Sequence, residues 1–367
     1  MESDMMRDSL FTTSFNCQLA GKRNMRKRNY LTAAAALFIF VGSFWFFTKL
    51  LMPKYMDEVI DGALIAEYYE EKAGHDVIFI GDCEVYENIS PITLWEDFGI
   101  TSYIRGSAQQ LIWQSYYLLE ETLRIEKPKA VVFNVLSMQY NEPQKEAYNR
   151  MTLDGMRWST SKWNSVCASM LPEESMAEYI FPLLRYHSRF DKLEKEDFIY
   201  LFQKDKISHN GYYMRTSVKP ASGEPTKRKL SDYRFGDTAY EYLDRITELC
   251  KKNNISLILM KAPSIYPVWY DEWEEQIEAY AAEHGLVYLN FLKLSEETGI
   301  DLQTDTYDAG LHLNVYGAEK LARYLGGVLS GLPGMEDHRE DEKISRIWKE
   351  KTDFYYQKKA EMEAEGR

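Results

Sequence analysis

From Leu31 to Phe47 the chain has no charged side chain, and the run LTAAAALFIFVGSFWFFTKLL continues to Leu51 past a single lysine, Lys49. As a helix, a run of this length crosses one bilayer, which takes roughly 20 apolar residues, with Lys49 snorkelling to the interface. Lys22, Arg23, Arg26, Lys27 and Arg28 stand just before it. Basic residues gather on the cytoplasmic side of membrane helices, so this flank predicts a cytoplasmic N-terminus and an extracellular main domain on a single-pass anchor. A cleaved signal peptide fits less well, because the run exceeds a usual h-region and no A-x-A-like site follows it.

Charge restricts the partners of the outer part. The whole chain carries −13, but residues 1–52 hold seven Lys or Arg against three Asp or Glu, so the 315 residues beyond carry about −17. Such a surface repels a polyanion, and nucleic acid is not an expected partner. Cys17 falls in the cytoplasmic tail, while Cys83, Cys167 and Cys250 fall outside. Three is odd, so at least one external thiol is expected to stay unpaired. There is no C-x-x-C, no H-E-x-x-H and only six scattered histidines. No metal and no cofactor are predicted.

Residues 1–29 are read as cytoplasmic tail, 30–52 as transmembrane helix and 53–73 as a charged amphipathic stem. The folded domain is expected over 74–332. It opens with DVIFIGD, ISPITLWEDFG, ITSYIRG, SAQQLIWQSYYLLEETLRI and KAVVFNVLS, a β-α-β-α-β series. The series resumes with the helical segment DTAYEYLDRITELCKKN, then ISLILMKAP, the helical VWYDEWEEQIEAYAAEHG, LVYLNFL and the helical NVYGAEKLARYLGGVL. Its strand runs are continuously apolar, as in parallel strands covered on both faces. The expected fold is a three-layer α/β/α sandwich around a five-stranded, flavodoxin-like parallel sheet. Residues 141–235 break the pattern and are read as an insertion flanking the site. Residues 333–367 form a charged tail, with Ile344, Ile347, Trp348 and Tyr355 at helical spacing, either docked or facing solvent.

Ligands of doubly wound sheets bind beyond the carboxyl ends of the strands, so the residues closing each run matter most. The first run closes in Gly81-Asp82-Cys83, placing a nucleophile at a helix N-terminus, where the dipole favours a thiolate. The second closes in Arg105-Gly106-Ser107, and a glycine there lets a backbone N–H face an anion. The loop TYDAGLHLNVYGAEK before the last helix holds Asp305, Asp308, His312 and Asn314, a base with candidate orienting groups.

A strand closing in Gly-Asp-nucleophile, a glycine after the second strand and an Asp/His loop before the terminal helix resemble the SGNH/GDSL hydrolase superfamily. The likeness runs from about Asp76 to Leu329, the insertion excluded. It implies that Cys83 replaces the nucleophilic serine, that His312 is the base and that Asp308 orients it, four residues ahead rather than three. Asp305 stays open as an alternative. It further implies an oxyanion hole from the Cys83 N–H, Gly106 and an Asn after strand three. The usual Gly-x-Asn-Asp block is missing, and Asn134 and Asn141 are both candidates. The implied activity is that of an esterase or O-acyltransferase acting on an acyl ester of a cell-envelope polysaccharide or polymer through a Cys/His(/Asp) acyl-enzyme. The partners implied are the membrane, the acylated polymer and a membrane-bound acyltransferase. The alternative is a catalytically inactive SGNH-like binding or scaffold module in an envelope polymer-modifying complex.

Other features carry blander readings. Ser159-Thr160-Ser161-Lys162 matches S-x-x-K, but no K-T-G accompanies it. Lys261, closing the fourth run, is read as a solvated lysine or an anion ligand. Trp158, Trp163 and Tyr212 are read as a small core in preference to a sugar-stacking platform. Asp82 is a candidate helix cap.

Overall fold

A computed structural model describes residues 29–53, 62–202, 206–223 and 225–366. The basic flank, Cys17 and the stem residues 54–61 lie outside the described residues. The chain divides into two compact units, one of residues 1–53 with 180–204, the other of 54–179 with 205–367. The expected insertion is therefore split, since its middle folds with the N-terminal helix.

In the smaller unit, α1 (Asn29–Leu51) is a helix of 23 residues with mean hydropathy 1.9, long and apolar enough to cross a membrane. Its partner segment contains the short helices Leu183–Tyr186 and Lys195–Ile199.

The larger unit runs in the order β1 (Val77–Gly81), α2 (Cys83–Tyr86), α3 (Pro91–Phe98), β2 (Ser102–Gly106), α4 (Ile112–Ile125) and β3 (Ala130–Asn134). It continues with α5 (Thr160–Ser169), α6 (Asp237–Lys252), β4 (Ser256–Lys261), α7 (Asp271–His284), β5 (Val287–Asn290), α8 (Val315–Ser330) and α9 (Glu342–Glu365). The strands form one parallel sheet ordered β2-β1-β3-β4-β5. This is the flavodoxin-like order, so the α/β/α fold expected from the runs is the fold observed.

The core follows from the period-2 alternation of strand side chains. Val77, Phe79, Val132 and Ile258 pack on one face with residues of α3, α8 and α9. Ile78, Ile80, Val131, Phe133 and Leu259 pack on the other with residues of α4, α6 and α7. Because both faces are covered, every residue of β1, β2 and β3 is buried. The tail helix docks: Trp348 stacks on Trp95 at 5.2 Å, and Tyr355 donates to Glu319 at 2.9 Å.

Helix ends follow their sequence signals. Ser90 caps α3 ahead of Pro91, and Gly99 closes it in a left-handed conformation. Asn314 caps α8, its Oδ1 accepting from the N–H groups of Tyr316 at 3.1 Å and Gly317 at 3.2 Å. That cap fixes the C-terminal end of the loop carrying His312.

Candidate active site

The nucleophile position is built by close backbone approach. A Cβ on Gly81 would lie 2.9 Å from Cβ of Asn134, and one on Gly106 would lie 3.0 Å from the Gly81 carbonyl oxygen. Only glycine lets β1, β2 and β3 close this tightly beneath the turn. Asp82 caps α2, accepting from the Glu84 N–H at 3.1 Å. Cys83 is therefore the first helical residue, and its N–H has no acceptor within the helix.

The loop from Asp305 to Asn314 is closed by an antiparallel bridge between Thr306 and Leu313. Thr306 Oγ1 donates to the His312 carbonyl at 2.7 Å and accepts from the Gly310 N–H at 2.8 Å. Asn88, one turn beyond Cys83, accepts from the Leu313 N–H at 2.7 Å. Ala309 and Gly310 take left-handed φ values of 68° and 96°. These two residues form the bulge that accommodates the four-residue spacing. A Cβ on Gly310 would meet Ile265 at 2.8 Å, so glycine is required there twice over.

His312 is buried, at 7% exposure. Its Nδ1 faces Asp308 Oδ2 at 2.7 Å, and its backbone N–H donates to Asp308 Oδ1 at 2.7 Å. A carboxylate only accepts, so Nδ1 carries the proton and Nε2 is directed elsewhere. Nε2 is buried without a hydrogen bond, while the ring and the Cys83 thiol interact and shift each other's pKa. Asp305 instead forms an ion pair with Lys320 at 2.6 Å and accepts from the Asp301 N–H at 2.8 Å.

A second carboxylate was not legible from the motifs. Glu87 Oε2 lies 3.5 Å from His312 Nδ1 and accepts a hydrogen bond from Tyr307. The Tyr307 ring stacks on His312 with centroids 6.0 Å apart and 17° between planes. The signal was present in the spacing: Glu87 follows Cys83 by four residues, and its N–H bonds to the Cys83 carbonyl at 3.1 Å, so one helical turn returns it to the nucleophile's side.

The electrostatics work against a resting thiolate. Burial lowers the His312 pKa, but Glu87, Cys83 and Asp308 together hold it well above the usual histidine range. Cys83 is half-buried, and burial pushes its thiol up to about 11, with His312 pulling down and Asp82 pushing up. The dipole effect expected from sequence is small because α2 is a single turn. Asp82, also buried, is raised to about 7 by desolvation and by the neighbouring Glu84.

Below the turn, Glu84 pairs with Lys261 at 2.7 Å, both side chains being fully buried. Lys261 is thus neither solvated nor available to a ligand, and it also donates to the carbonyls of Ala262 and Ser264. Asn134 Nδ2 donates to Asp82 at 3.2 Å and to Glu84 at 3.0 Å, while its Oδ1 accepts from the Ala262 N–H. Asn141 is exposed, and its Oδ1 accepts from the Thr238 N–H at 2.9 Å, in the first turn of α6. The fold thus gathers Cys83, Asp308, His312 and Gly106, with Asn134 bonded to the turn below Cys83.

The remaining motifs fall elsewhere. Ser159 caps α5 by accepting from the Lys162 N–H at 3.1 Å, and Lys162 donates to the Met156 carbonyl at 2.9 Å. Tyr212 is buried in the core, whereas Trp158 and Trp163 are exposed, at 48% and 46%.

No family model and no curated protein matches this chain. Among solved structures it is similar to one described as a lipolytic protein of the G-D-S-L family from Desulfitobacterium hafniense DCB-2. That match has 14% identity and a TM-score of 0.37, covering 69% of this chain and 98% of that one. In the structure Cys83 follows β1 with Asp82 between them, Gly106 closes β2 and His312 lies just before α8.

Proposed function

We propose that this chain is a membrane-anchored, extracytoplasmic esterase or O-acyltransferase acting on an acyl ester of a cell-envelope polysaccharide or polymer, through a covalent acyl-enzyme on Cys83. The observation carrying this reading is the relay of Asp308 on His312 Nδ1, with the ring interacting with the Cys83 thiol. As Sγ bonds to the acyl carbon, its proton passes to His312 Nε2 and the carbonyl electrons move onto oxygen. Collapse of that intermediate expels the alcohol oxygen, which takes the proton from Nε2. A water or an acceptor hydroxyl then attacks the thioester with His312 again taking and returning the proton. The Cys83 N–H and Gly106 are the supports for the oxyanion, and Asn134 would assist only after giving up one of its Nδ2 bonds to Asp82 and Glu84, with Asn141 the alternative donor. A membrane-bound acyltransferase supplying the acyl group fits the transfer form of this chemistry.

The test is hydrolysis of an aryl acetate by the full chain in vesicles, comparing Cys83→Ala and His312→Ala with the parent. Loss of the activity in both variants is expected, and full activity in either ends the mechanism.

A second reading, a silent polymer-binding or scaffold module, is favoured by one observation. Both donor bonds of Asn134 go to Asp82 and Glu84, leaving that oxyanion position engaged. Under this reading the parent has no esterase activity at all, while polymer binding survives both substitutions.

A further inference from the structure

The segment from Ile180 to Phe202 displays apolar side chains on its outside. Phe181, Leu184, Phe190, Phe198, Ile199 and Phe202 are all exposed, Phe190 at 68% and Phe202 at 90%. An aqueous surface rarely tolerates such a concentration within so short a stretch.

Three contacts fix where this segment lies along α1. Phe181 meets Phe44 edge-on at 6.0 Å. Arg189 Nη1 donates to the carbonyls of Leu51 at 3.3 Å and Met52 at 3.2 Å. Those carbonyls belong to the helix end, which has no intrahelical donors left to offer them, so the guanidinium caps α1. Arg189 is itself held by both oxygens of Asp197, at 2.9 and 3.1 Å, and Asp197 also caps the Lys195–Ile199 helix by accepting from the Glu194 N–H. The cap is therefore a built joint.

On α1 Phe44 and Thr48 are partly covered and Leu50 and Leu51 are buried, while every residue from Asn29 to Ser43 is exposed. Seven residues of helix span about 10 Å, so the segment lies alongside the last two turns of α1. That depth matches the ~5–10 Å by which interfacial helices sink their apolar faces. Its helices of four and five residues are too short to cross, and their loops require the polar groups of the interface. Lys192 and Lys195 are exposed beside Asp191, Glu194 and Glu196, a balanced set of charges that suits the polar headgroup layer.

We propose that Ile180–Phe202 is an interfacial membrane element, its exposed aromatic and aliphatic side chains inserted among lipid acyl chains at the bilayer face where α1 ends. This rests on reading α1 as the membrane anchor. It gives the chain a second contact with lipid, joined to the first by Arg189.

The experiment uses the full, unmodified chain in phosphatidylcholine vesicles that contain a phospholipid with a diazirine in its acyl chain. After photolysis, adducts are mapped by peptide mass spectrometry. Adducts on α1 peptides and on peptides from 180–202 are expected, with none on peptides of α6 or α7. Adducts on α1 without any on 180–202, as when a second copy or water covers the segment, overturn the proposal and leave the anchor standing. Absence of adducts from both overturns the anchor and this proposal together.

Discussion

Asp308 grips His312 at two points, with Oδ2 at 2.7 Å from Nδ1 and Oδ1 accepting the backbone N–H at 2.7 Å. The first contact sets the tautomer and the second sets the loop. Asp308→Asn keeps an acceptor for the backbone while losing the charge on the ring. Ester hydrolysis is expected to fall on the order of 10²-fold in kcat/KM, with the thermal midpoint little changed. Steady-state kinetics beside a circular-dichroism melt check this, and an unaltered rate would remove Asp308 from the relay.

Glu87 adds a second negative charge at 3.5 Å from the same nitrogen. The groups facing His312 are Cys83, Glu87, Tyr307 and Asp308, with Arg215 over the Tyr307 ring at 5.8 Å. The base must be neutral, so parent activity is expected to rise with pH through the raised His312 pKa. Glu87→Gln lets that pKa fall, and the rising limb moves to lower pH. His312 stabilises the fold fully below its unfolded value near ~6.5, and this contribution is lost as pH climbs through the folded value. The variant's stability deficit should therefore be largest in acid and shrink towards alkaline pH. A titration of the His312 ring by NMR, independent of activity, checks the shift, and a limb that stays in place contradicts it.

Burial pushes the Cys83 thiol up to about 11, so iodoacetamide should modify it slowly at pH 7 and faster as pH approaches 11. Exposed Cys167 serves as the fast internal reference. His312→Ala removes a group that lowers the thiol, and labelling should slow further at any given pH. Peptide mapping of the adducts distinguishes the two sites, and rapid labelling of Cys83 at pH 7 would contradict the environment described.

Glu84 and Lys261 form an ion pair at 2.7 Å with no exposure on either side. Glu84→Gln or Lys261→Met alone strands a buried charge, and a loss of about 3–5 kcal/mol is expected from each. The double variant should lose less than the sum, because neither charge remains. Denaturant unfolding of the four proteins measures the coupling, and strict additivity would show the pair to be energetically independent.

Much of this protein is legible in the chain because it rests on local patterns. The uncharged run after a basic cluster marks α1, the continuous apolar runs mark strands covered on both sides, and Gly81, Gly106 and Asn314 sit where a turn, a close approach and a helix cap require them. The spacing alone left Asp305 and Asp308 open as partners of His312. Lys320, fifteen residues beyond Asp305 on α8, takes the first, and the bulge at Ala309 and Gly310 turns the second onto the ring.

Residue order by itself determined the long apolar helix, the layer architecture and the strand ends at which chemistry could sit, because period, length and side-chain type fix those without distant contacts. The tertiary structure alone decided which side chains pair. Lys261 is buried against Glu84, 177 positions away in sequence, and Asn134 is tied to carboxylates on another strand's turn. The middle of the insertion belongs with α1 through Arg189. Each depends on which groups lose their water when remote segments meet, and no local pattern records that.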